Sequence, residues 1–341
     1  MKPRTFFAFV APSLAMMILF ITVPLVIVLI QSFQSTQPVY ETQEIENCTP
    51  GFPSPVCVKE SRTAPRLDGD GRPVTETRFT GLDNFRALLQ PDAVLAALSR
   101  GLAGWREILA MDFYKALRFT LTFTFITLPF VIGIGLALAL ALDATVRSIR
   151  GPIIFATLLP FIITPVIGAL SIRWLFVGDG IMTAAMSALT GDRVLMFAQG
   201  WTIELLMIAY RIWHVAPFAF IIFYAGLQTL NQDSIDAAVV DGASRLDRLR
   251  YVIVPHLMPL IVFVALIHLM DSYRVFEEVV GFSSQAHVIS LQWLTFELLS
   301  PDNTGNRAIG RASASSMLTM VGIVILLVPL IMRTWRDQRR A

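Results

Sequence analysis

The chain has 341 residues, of which 55% are apolar and 15% are charged, with a mean hydropathy of +0.64. Soluble proteins carry about a quarter charged residues, so this composition argues against a soluble enzyme or a nucleic-acid-binding protein. The net charge of +2 indicates no particular class of partner. The two cysteines are too few for a disulfide scaffold and have the wrong spacing for a zinc site.

Six charge-poor runs are long enough to cross a membrane, whose hydrocarbon core of roughly 30 Å takes about 20 helical residues. They lie at about 6–33, 118–143, 150–173, 201–227, 257–280 and 311–333. The first run is too long for the apolar region of a signal peptide and lacks a cleavage site, so we expect an uncleaved helix. The sequence therefore predicts an all-α, polytopic membrane protein with six transmembrane helices.

The Lys and Arg residues of the short loops predict the orientation of the helices, because these residues are enriched on the cytoplasmic side. With the N-terminus inside, the cytoplasmic set is Lys2, Arg4, Arg147, Arg150, Arg245, Arg248, Arg250, Arg333, Arg336, Arg339 and Arg340. The short outer loops then hold a smaller set, Arg173, Arg193, Arg274, Arg307 and Arg311. We therefore expect both termini in the cytoplasm.

This topology divides the chain into four segments. Residues 1–33 form the N-terminal tail and first helix, and residues 34–113 form an extended outer, periplasmic loop. Residues 114–333 hold the other five helices, with a cytoplasmic loop at 233–255. Residues 334–341 form a cytoplasmic tail.

The long outer loop changes character along its length. Its first half is rich in proline and poor in apolar residues, so little of it is expected to form a core. Cys48 and Cys57 enclose a short loop on the oxidising side of the membrane, which favours a disulfide over two unpaired thiols. The stretch at 92–111 is rich in Ala and Leu and is predicted to be helical.

The cytoplasmic loop at 233–255 has a helical pattern of apolar residues. The residues in this pattern are Ile235, Val239, Leu246, Leu249 and Ile253. Acidic residues come early and basic residues late, which suits a helix dipole. Gly242 has small neighbours, which indicates a bend or a close contact between two short helices. The loop is either an amphipathic helix on the inner leaflet or a helix pair that docks into a partner, and its small central residues favour docking.

The same loop resembles the EAA loop of permease subunits of binding-protein-dependent ABC importers, written E-A-A-x-x-x-G and ending in I-x-L-P. The opening triplet corresponds to Asp236-Ala237-Ala238, the centre to Asp241-Gly242-Ala243, and the end to Val252-Ile253-Val254-Pro255. Asp in place of Glu at 236 and Val in place of Leu at 254 are mild departures.

The resemblance extends over nearly the whole chain and is nearest to sugar-importer permeases of the maltose and glycerol-phosphate type. The sequence FTGLDNF at 79–85 is similar to their motif before the second helix, and RWLF at 173–176 is similar to part of their third. The stretch GFSSQ at 281–285 departs from their T-G-G-P-like turn, and 37–78 and 92–112 look like extra length.

The resemblance implies an ABC type-1 transmembrane domain in the bacterial inner membrane, without catalytic activity. The implied partners are a second permease that is similar but not identical, two ABC ATPase subunits and a periplasmic solute-binding protein. The chain has no G-x-x-x-x-G-K-[ST] phosphate loop, so we expect the ATPases to bind ATP and this chain to bind no cofactor. Docking onto the ATPase is implied for Asp236, Ala237, Ala238, Asp241, Gly242, Ala243, Arg245, Leu246 and Pro255.

Ionisable residues inside the predicted spans are candidates for a solute pathway, because charges in a membrane are costly. The candidates, with nearby aromatic residues, are Arg211, Trp213, Asp271, Tyr273, Arg274 and Glu277. On one helix, Asp271, Arg274 and Glu278 would share a face. The alternatives are an internal salt-bridge network and a helix that reaches the outer headgroups. The histidines lack a metal-ligand spacing, so no metal site is expected; His214 and His268 are interpreted as interhelical hydrogen-bonding residues.

Three classes of function remain to be compared. A transporter subunit is the leading hypothesis, and its solute is open among oligosaccharides, glycosides, polyols and sugar phosphates. An intramembrane hydrolase would need a paired nucleophile and base, but the chain has neither H-E-x-x-H nor G-x-S-x-G. A self-sufficient secondary transporter of a polar solute is the alternative, although it leaves the loop at 233–255 unexplained.

Overall fold

The computed structural model describes residues 3–49, 56–66, 68–69, 74–178, 180–192, 195–302 and 305–338. These residues form two compact units. One unit comprises Met1–Asp92 and Thr295–Leu318, and the other comprises Ala93–Leu294 and Thr319–Ala341.

The described residues are mainly helical. In chain order the helices are α1 (Pro3–Met17), α2 (Val23–Ser32), α3 (Asp83–Leu89), α4 (Pro91–Leu98), α5 (Leu102–Ala110), α6 (Asp112–Asp143), α7 (Arg147–Ile162), α8 (Pro165–Phe176), α9 (Ile181–Thr190), α10 (Gly200–Leu227), α11 (Gln232–Val240), α12 (Arg245–Arg248), α13 (Val254–Tyr273), α14 (Glu277–Gly281), α15 (Leu291–Leu299) and α16 (Ile309–Gln338). Short π-helical turns at Ile18–Thr22 and Leu249–Ile253 join α1 to α2 and α12 to α13.

Five helical stretches of the described chain are long and apolar enough to cross a membrane. They are Phe9–Ser32, Asp112–Asp143, Gly200–Leu227, Arg245–Tyr273 and Ile309–Arg333. A bent pair, α7 and α8, passes the same test when its two helices are taken together. With this pair counted as one span there are six, which confirms the predicted number.

The third predicted helix is broken, contrary to the expectation of one continuous span. The axes of α7 and α8 meet at 90°, and the two residues between them are extended, with ψ of 132° at Ile163 and 138° at Thr164. Pro165 explains the break, because a proline disfavours helical geometry at the residue before it and favours the first position of a new helix.

The fifth predicted helix ends earlier than expected. Instead of continuing to about residue 280, α13 stops at Tyr273, and Val275 is fully buried in the apolar core. The carbonyl of Val275 accepts a hydrogen bond of 2.6 Å from the hydroxyl of Ser290. A separate short helix, α14, then begins at Glu277.

Part of the outer segment is not helical, which differs from the all-α prediction there. Strand β1 (Gln34–Pro38) pairs with β4 (Thr75–Phe79), and β2 (Tyr40–Thr49) pairs with β3 (Val56–Pro65), both antiparallel. Backbone pairing is supplemented by side-chain contacts, such as the hydrogen bond between the hydroxyls of Thr36 and Thr77 at 3.3 Å. The predicted helical stretch at 92–111 forms most of α4 and α5.

The register of β2 and β3 bears on the two cysteines. Cys48 and Cys57 are directly opposite each other across the pair. Opposed residues of an antiparallel pair have Cα atoms about 4.5–5.5 Å apart, and disulfides span about 4.4–6.8 Å between Cα atoms. The backbone is therefore compatible with the disulfide, which stays a prediction.

The apolar core of the larger unit is centred on the contact between α6 and α10. Gly135 of α6 lies against Ala219 of α10, so closely that a β-carbon on Gly135 would be 2.6 Å from that of Ala219. Small residues allow such close approach, and packing of this kind holds membrane helices together. On the same helix, Gly133 has no neighbouring heavy atom within 4 Å of the position of a β-carbon.

We expect Gly135→Ala to destabilise the bundle by about 1–3 kcal/mol, because the added methyl group overpacks the contact between α6 and α10. Gly133→Ala is the matched control on the same helix, and its effect should be neutral or slightly stabilising. The measurement is the apparent melting temperature of the detergent-solubilised protein. Equal losses in both variants would contradict the assigned helix contact.

Candidate functional site

The loop at 233–255 forms two short helices with well-defined ends. Helix α11 begins after Asn231, whose side-chain oxygen accepts a 3.0 Å hydrogen bond from the amide of Asp233. Helix α12 begins after Ser244, whose hydroxyl accepts from the amide of Asp247, while the Asp247 carboxylate accepts from the amide of Ser244. This reciprocal capping fixes the direction in which the second helix starts.

Gly242 makes the turn between the two helices. Its φ is +80°, its amide donates to the carbonyl of Val239 at 3.0 Å, and the amide of Ala243 donates to the carbonyl of Ala238 at 2.9 Å. These two bonds form a Schellman motif, which favours glycine at the left-handed position. The predicted bend at Gly242 is present, and no heavy atom lies within 4 Å of the position of a β-carbon there.

The surface of this helix pair is apolar and exposed. Val240 is 86% exposed, Leu246 is 71% exposed and Val239 is 50% exposed. Of these three, Leu246 was a predicted docking residue. The remaining predicted docking residues are exposed as well, apart from the partly buried Ala238 and Ala243; the exposed ones are Asp236, Ala237, Asp241, Gly242, Arg245 and Pro255. We name this surface the coupling face. The structure brings the predicted docking residues together on one segment.

A second candidate site surrounds Arg211 in the middle of α10. The guanidinium of Arg211 donates through Nη1 to Oε1 of Glu278 at 2.7 Å and through Nη2 to Oδ2 of Asp271. The side chain of Arg211 is 4% exposed and that of Glu278 is fully buried, whereas that of Asp271 is 65% exposed. One cation thus joins α10 to the end of α13 and to α14.

The expected pairing of Arg274 with Asp271 and Glu278 does not form. Because α13 ends at Tyr273, Arg274 is the residue that ends the helix and its side chain is exposed. Arg211, from a different helix, takes the place that the sequence analysis gave to Arg274. The alternative of an internal salt-bridge network is therefore present, with one carboxylate, Asp271, still accessible.

Two residues of α10 bind the backbone where the third span is broken. Nε2 of His214 is 2.9 Å from the carbonyl oxygen of Ile163, and the hydroxyl of Tyr210 donates to the carbonyl of Pro165 at 2.9 Å. The carbonyl of Ile163 lies between α7 and α8 and needs such a partner inside a membrane, whereas the carbonyl of Pro165 belongs to the first residue of α8. The histidine acts between helices, as the sequence analysis proposed.

A cavity of about 390 Å³ lies beside Arg211. Of the predicted pathway residues, it is lined by Arg211, Asp271 and Glu277, together with His214 and His268. Two phenylalanines, Phe161 and Phe218, add an aromatic wall, with ring centroids 5.6 Å apart. We name this space the charged cavity.

The other predicted pathway residues lie elsewhere. Trp213 lines a separate, apolar cavity of about 530 Å³, together with residues of α6 and α7. Tyr273 is 3% exposed, with its hydroxyl packed against Gly322 of α16. Arg274 is absent from the described lining of the charged cavity.

Sequence reasoning missed several residues of the charged cavity. Phe161 and Phe218 had no signal beyond their position near Pro160 and Pro217. His268 was expected to form a hydrogen bond between helices, and its Nε2 is 2.9 Å from the hydroxyl of Thr127 in α6, but its place in the cavity lining was not predicted. Glu278 was considered only as a residue that shares a helix face with Asp271 and Arg274. Because a charge inside a membrane needs a partner of opposite charge, its pairing with Arg211 could have been proposed.

We expect Arg211→Met to cost about 3–5 kcal/mol of stability, because it leaves the buried carboxylate of Glu278 without its cation. Combining it with Glu278→Met should recover much of the loss. Arg100→Met is the control, because Arg100 pairs with Glu107 on the surface, with side chains 61% and 50% exposed, and it should cost about 1 kcal/mol or less. The apparent melting temperature measures all three, and an unimproved double variant would contradict the pairing.

Comparison with known proteins identifies the family. Residues 108–341 match the family described as binding-protein-dependent transport system inner membrane component. A probable ABC transporter permease protein of Sinorhizobium fredii, y4oQ, is 27% identical over 242 residues, which cover 69% of this chain and 76% of the relative. The trehalose transport system permease protein SugA of Mycobacterium tuberculosis is 31% identical over 207 residues, covering 60% of this chain and 59% of the relative.

Solved structures show the same fold. A chain of a bacterial ABC transporter involved in the import of the acidic polysaccharide alginate superimposes with a TM-score of 0.68 and 19% identity. The match covers 98% of this chain and 96% of that one. The fold is therefore that of an ABC transporter permease, and the chain belongs to the family of inner membrane components of binding-protein-dependent transport systems.

Proposed function

We propose that this chain is a permease subunit of an ABC importer in the bacterial inner membrane. With a second, homologous permease it forms the pathway for a sugar or sugar-like solute, which a periplasmic binding protein delivers. Two ATPase subunits bind and hydrolyse ATP, and this chain itself holds no cofactor and carries out no reaction. Family membership supports the transport role.

The relatives support the class of solute. SugA of M. tuberculosis is a trehalose transport permease, and an arabinooligosaccharide transport permease of Bacillus subtilis, AraP, is 24% identical over 268 residues. A second alginate transporter structure, with a TM-score of 0.59, was solved in complex with a pentasaccharide-bound periplasmic protein. Carbohydrate is thus the shared solute class of these proteins, and it is our proposal for this chain.

The coupling face carries the proposal. Val239, Val240 and Leu246 expose apolar surface next to a turn with open space around Gly242. A helix pair of this kind fits a groove in a partner, as in helix-in-groove recognition. The partner we assign to it is the ATPase, so that closure of the ATPases on ATP moves the helices of the permease.

A self-sufficient secondary transporter would not need this face. Its energy comes from an ion gradient through the membrane-embedded part, and exposed valines on a protruding helix pair would have no role. The alternative of an inner-leaflet helix also accounts for exposed apolar residues, but it does not require the open space at Gly242. A substitution at Gly242 distinguishes docking onto an ATPase from the secondary transporter and from the inner-leaflet helix.

We expect Gly242→Asp to leave the protein in the membrane but to lower uptake roughly tenfold or more, because an unpaired carboxylate buried in a docking groove is strongly unfavourable. Aspartate tolerates the left-handed conformation better than most residues. The substitution should therefore affect docking onto the partner more than folding of the chain. The measurement is uptake of labelled sugar by cells expressing the whole transporter, with ATPase copurification as a second readout.

Gly191→Asp is the matched control. Gly191 also has a positive φ, of +75°, and open space around the position of its β-carbon, but it ends α9. Normal uptake by the Gly242 variant would contradict the docking role. Uptake driven by an ion gradient without the ATPase would favour the secondary transporter instead.

A further inference from the structure

The charged cavity has the dimensions and accessible groups of a small-molecule site. Its volume of about 390 Å³ lies in the range of known ligand pockets, roughly 300–1,000 Å³. The carboxylate of Asp271 is 65% exposed, and Glu277 is exposed beside it. Aromatic rings of Phe161 and Phe218 supply an apolar wall against which the C–H face of a sugar ring can pack.

The net charge of the residues that line this cavity is negative. Arg211 is the single cation among the described lining residues, and both of its carboxylate partners already neutralise it. Its side chain is 4% exposed, so it offers almost no surface to a solute. The accessible charges are therefore the carboxylates of Asp271 and Glu277, and they repel an anion.

The two histidines of the lining are hydrogen-bonded within the protein. Nε2 of His214 binds the carbonyl of Ile163 and must therefore carry a hydrogen. Nε2 of His268 lies 2.9 Å from the hydroxyl of Thr127 and 3.0 Å from that of Ser272. Within the described chain the Nδ1 atoms of both are buried without a hydrogen-bond partner, so a solute cannot reach them. Both side chains are at least 96% buried and line the cavity.

We propose that the charged cavity selects a solute that donates hydrogen bonds and carries no negative charge, as an uncharged sugar does. This inference rests on the proposed function and narrows its solute class. Hydroxyl groups of the sugar donate to Asp271 and Glu277, and the ring packs against Phe161. Uronates and sugar phosphates are disfavoured, because no accessible cation of the described lining pairs with them.

The test compares uptake of matched neutral and anionic sugars by the whole transporter with its own binding protein. The pairs are trehalose with trehalose 6-phosphate, and digalactose with digalacturonate. We expect at least one neutral sugar to be taken up roughly tenfold faster than its anionic counterpart, or more. Uptake of an anionic sugar at the rate of its neutral counterpart would overturn the inference.

Variants of the cavity test whether the preference for neutral sugars comes from this cavity or from the binding protein. The binding protein is the same in every assay. Asp271→Asn keeps the shape of the side chain but removes one negative charge, and it leaves the pair of Arg211 with Glu278 in place. We expect it to shrink the ratio of neutral to anionic uptake by roughly fivefold or more. Glu204→Gln is the matched control, because Glu204 pairs with Arg118 outside the cavity; it should leave the ratio unchanged.

The outcomes separate the two proposals. An equal change of the ratio in the Asp271 and Glu204 variants would overturn the assignment to the charged cavity and leave the importer function standing. Uptake that proceeds without the ATPase would overturn the importer function, while a retained preference for neutral sugars would still support the cavity assignment.

Discussion

A guanidinium in the middle of a membrane-spanning helix is strongly unfavourable unless carboxylates surround it. Arg211 meets this requirement with two acids from the region where the fifth span ends, one fully buried and one accessible. The need to pair this charge therefore determines how α10, α13 and α14 are joined. It also places charged groups inside the helical bundle, and the charged cavity is formed around them.

A second constraint is the need to satisfy backbone carbonyls away from water. The break before Pro165 leaves the carbonyl of Ile163 outside both helices, and His214 of α10 binds it, while Tyr210 donates to the carbonyl of Pro165 at the start of α8. These residues flank Arg211 on the same helix, so one helix supplies both the charge and the polar support of the broken backbone. The bend and the charged cavity are parts of one arrangement.

Composition and charge spacing were enough to predict the spans and the helical character of the loop at 233–255, because long apolar runs and helical periodicity are local properties; the docking role of that loop stays a prediction. The partner of Arg211 was not predictable in this way, because the contact joins residues that are 60 and 67 positions apart. Pro165 was visible in the sequence, but a proline predicts a break and not its 90° angle. The strands at 34–79 were missed because their stability comes from backbone pairing and not from an apolar pattern.

The stretch Arg245–Tyr273 has a mechanical consequence. Helix α12, the π-helical turn and α13 form one helical stretch of 29 residues, which at 1.5 Å per residue is a rod of roughly 40 Å. Its first residues lie beside the coupling face and its last turn carries Asp271. Under the proposed function, a tilt of this stretch by about 5° about its cytoplasmic end would displace Asp271 by roughly 3.5 Å.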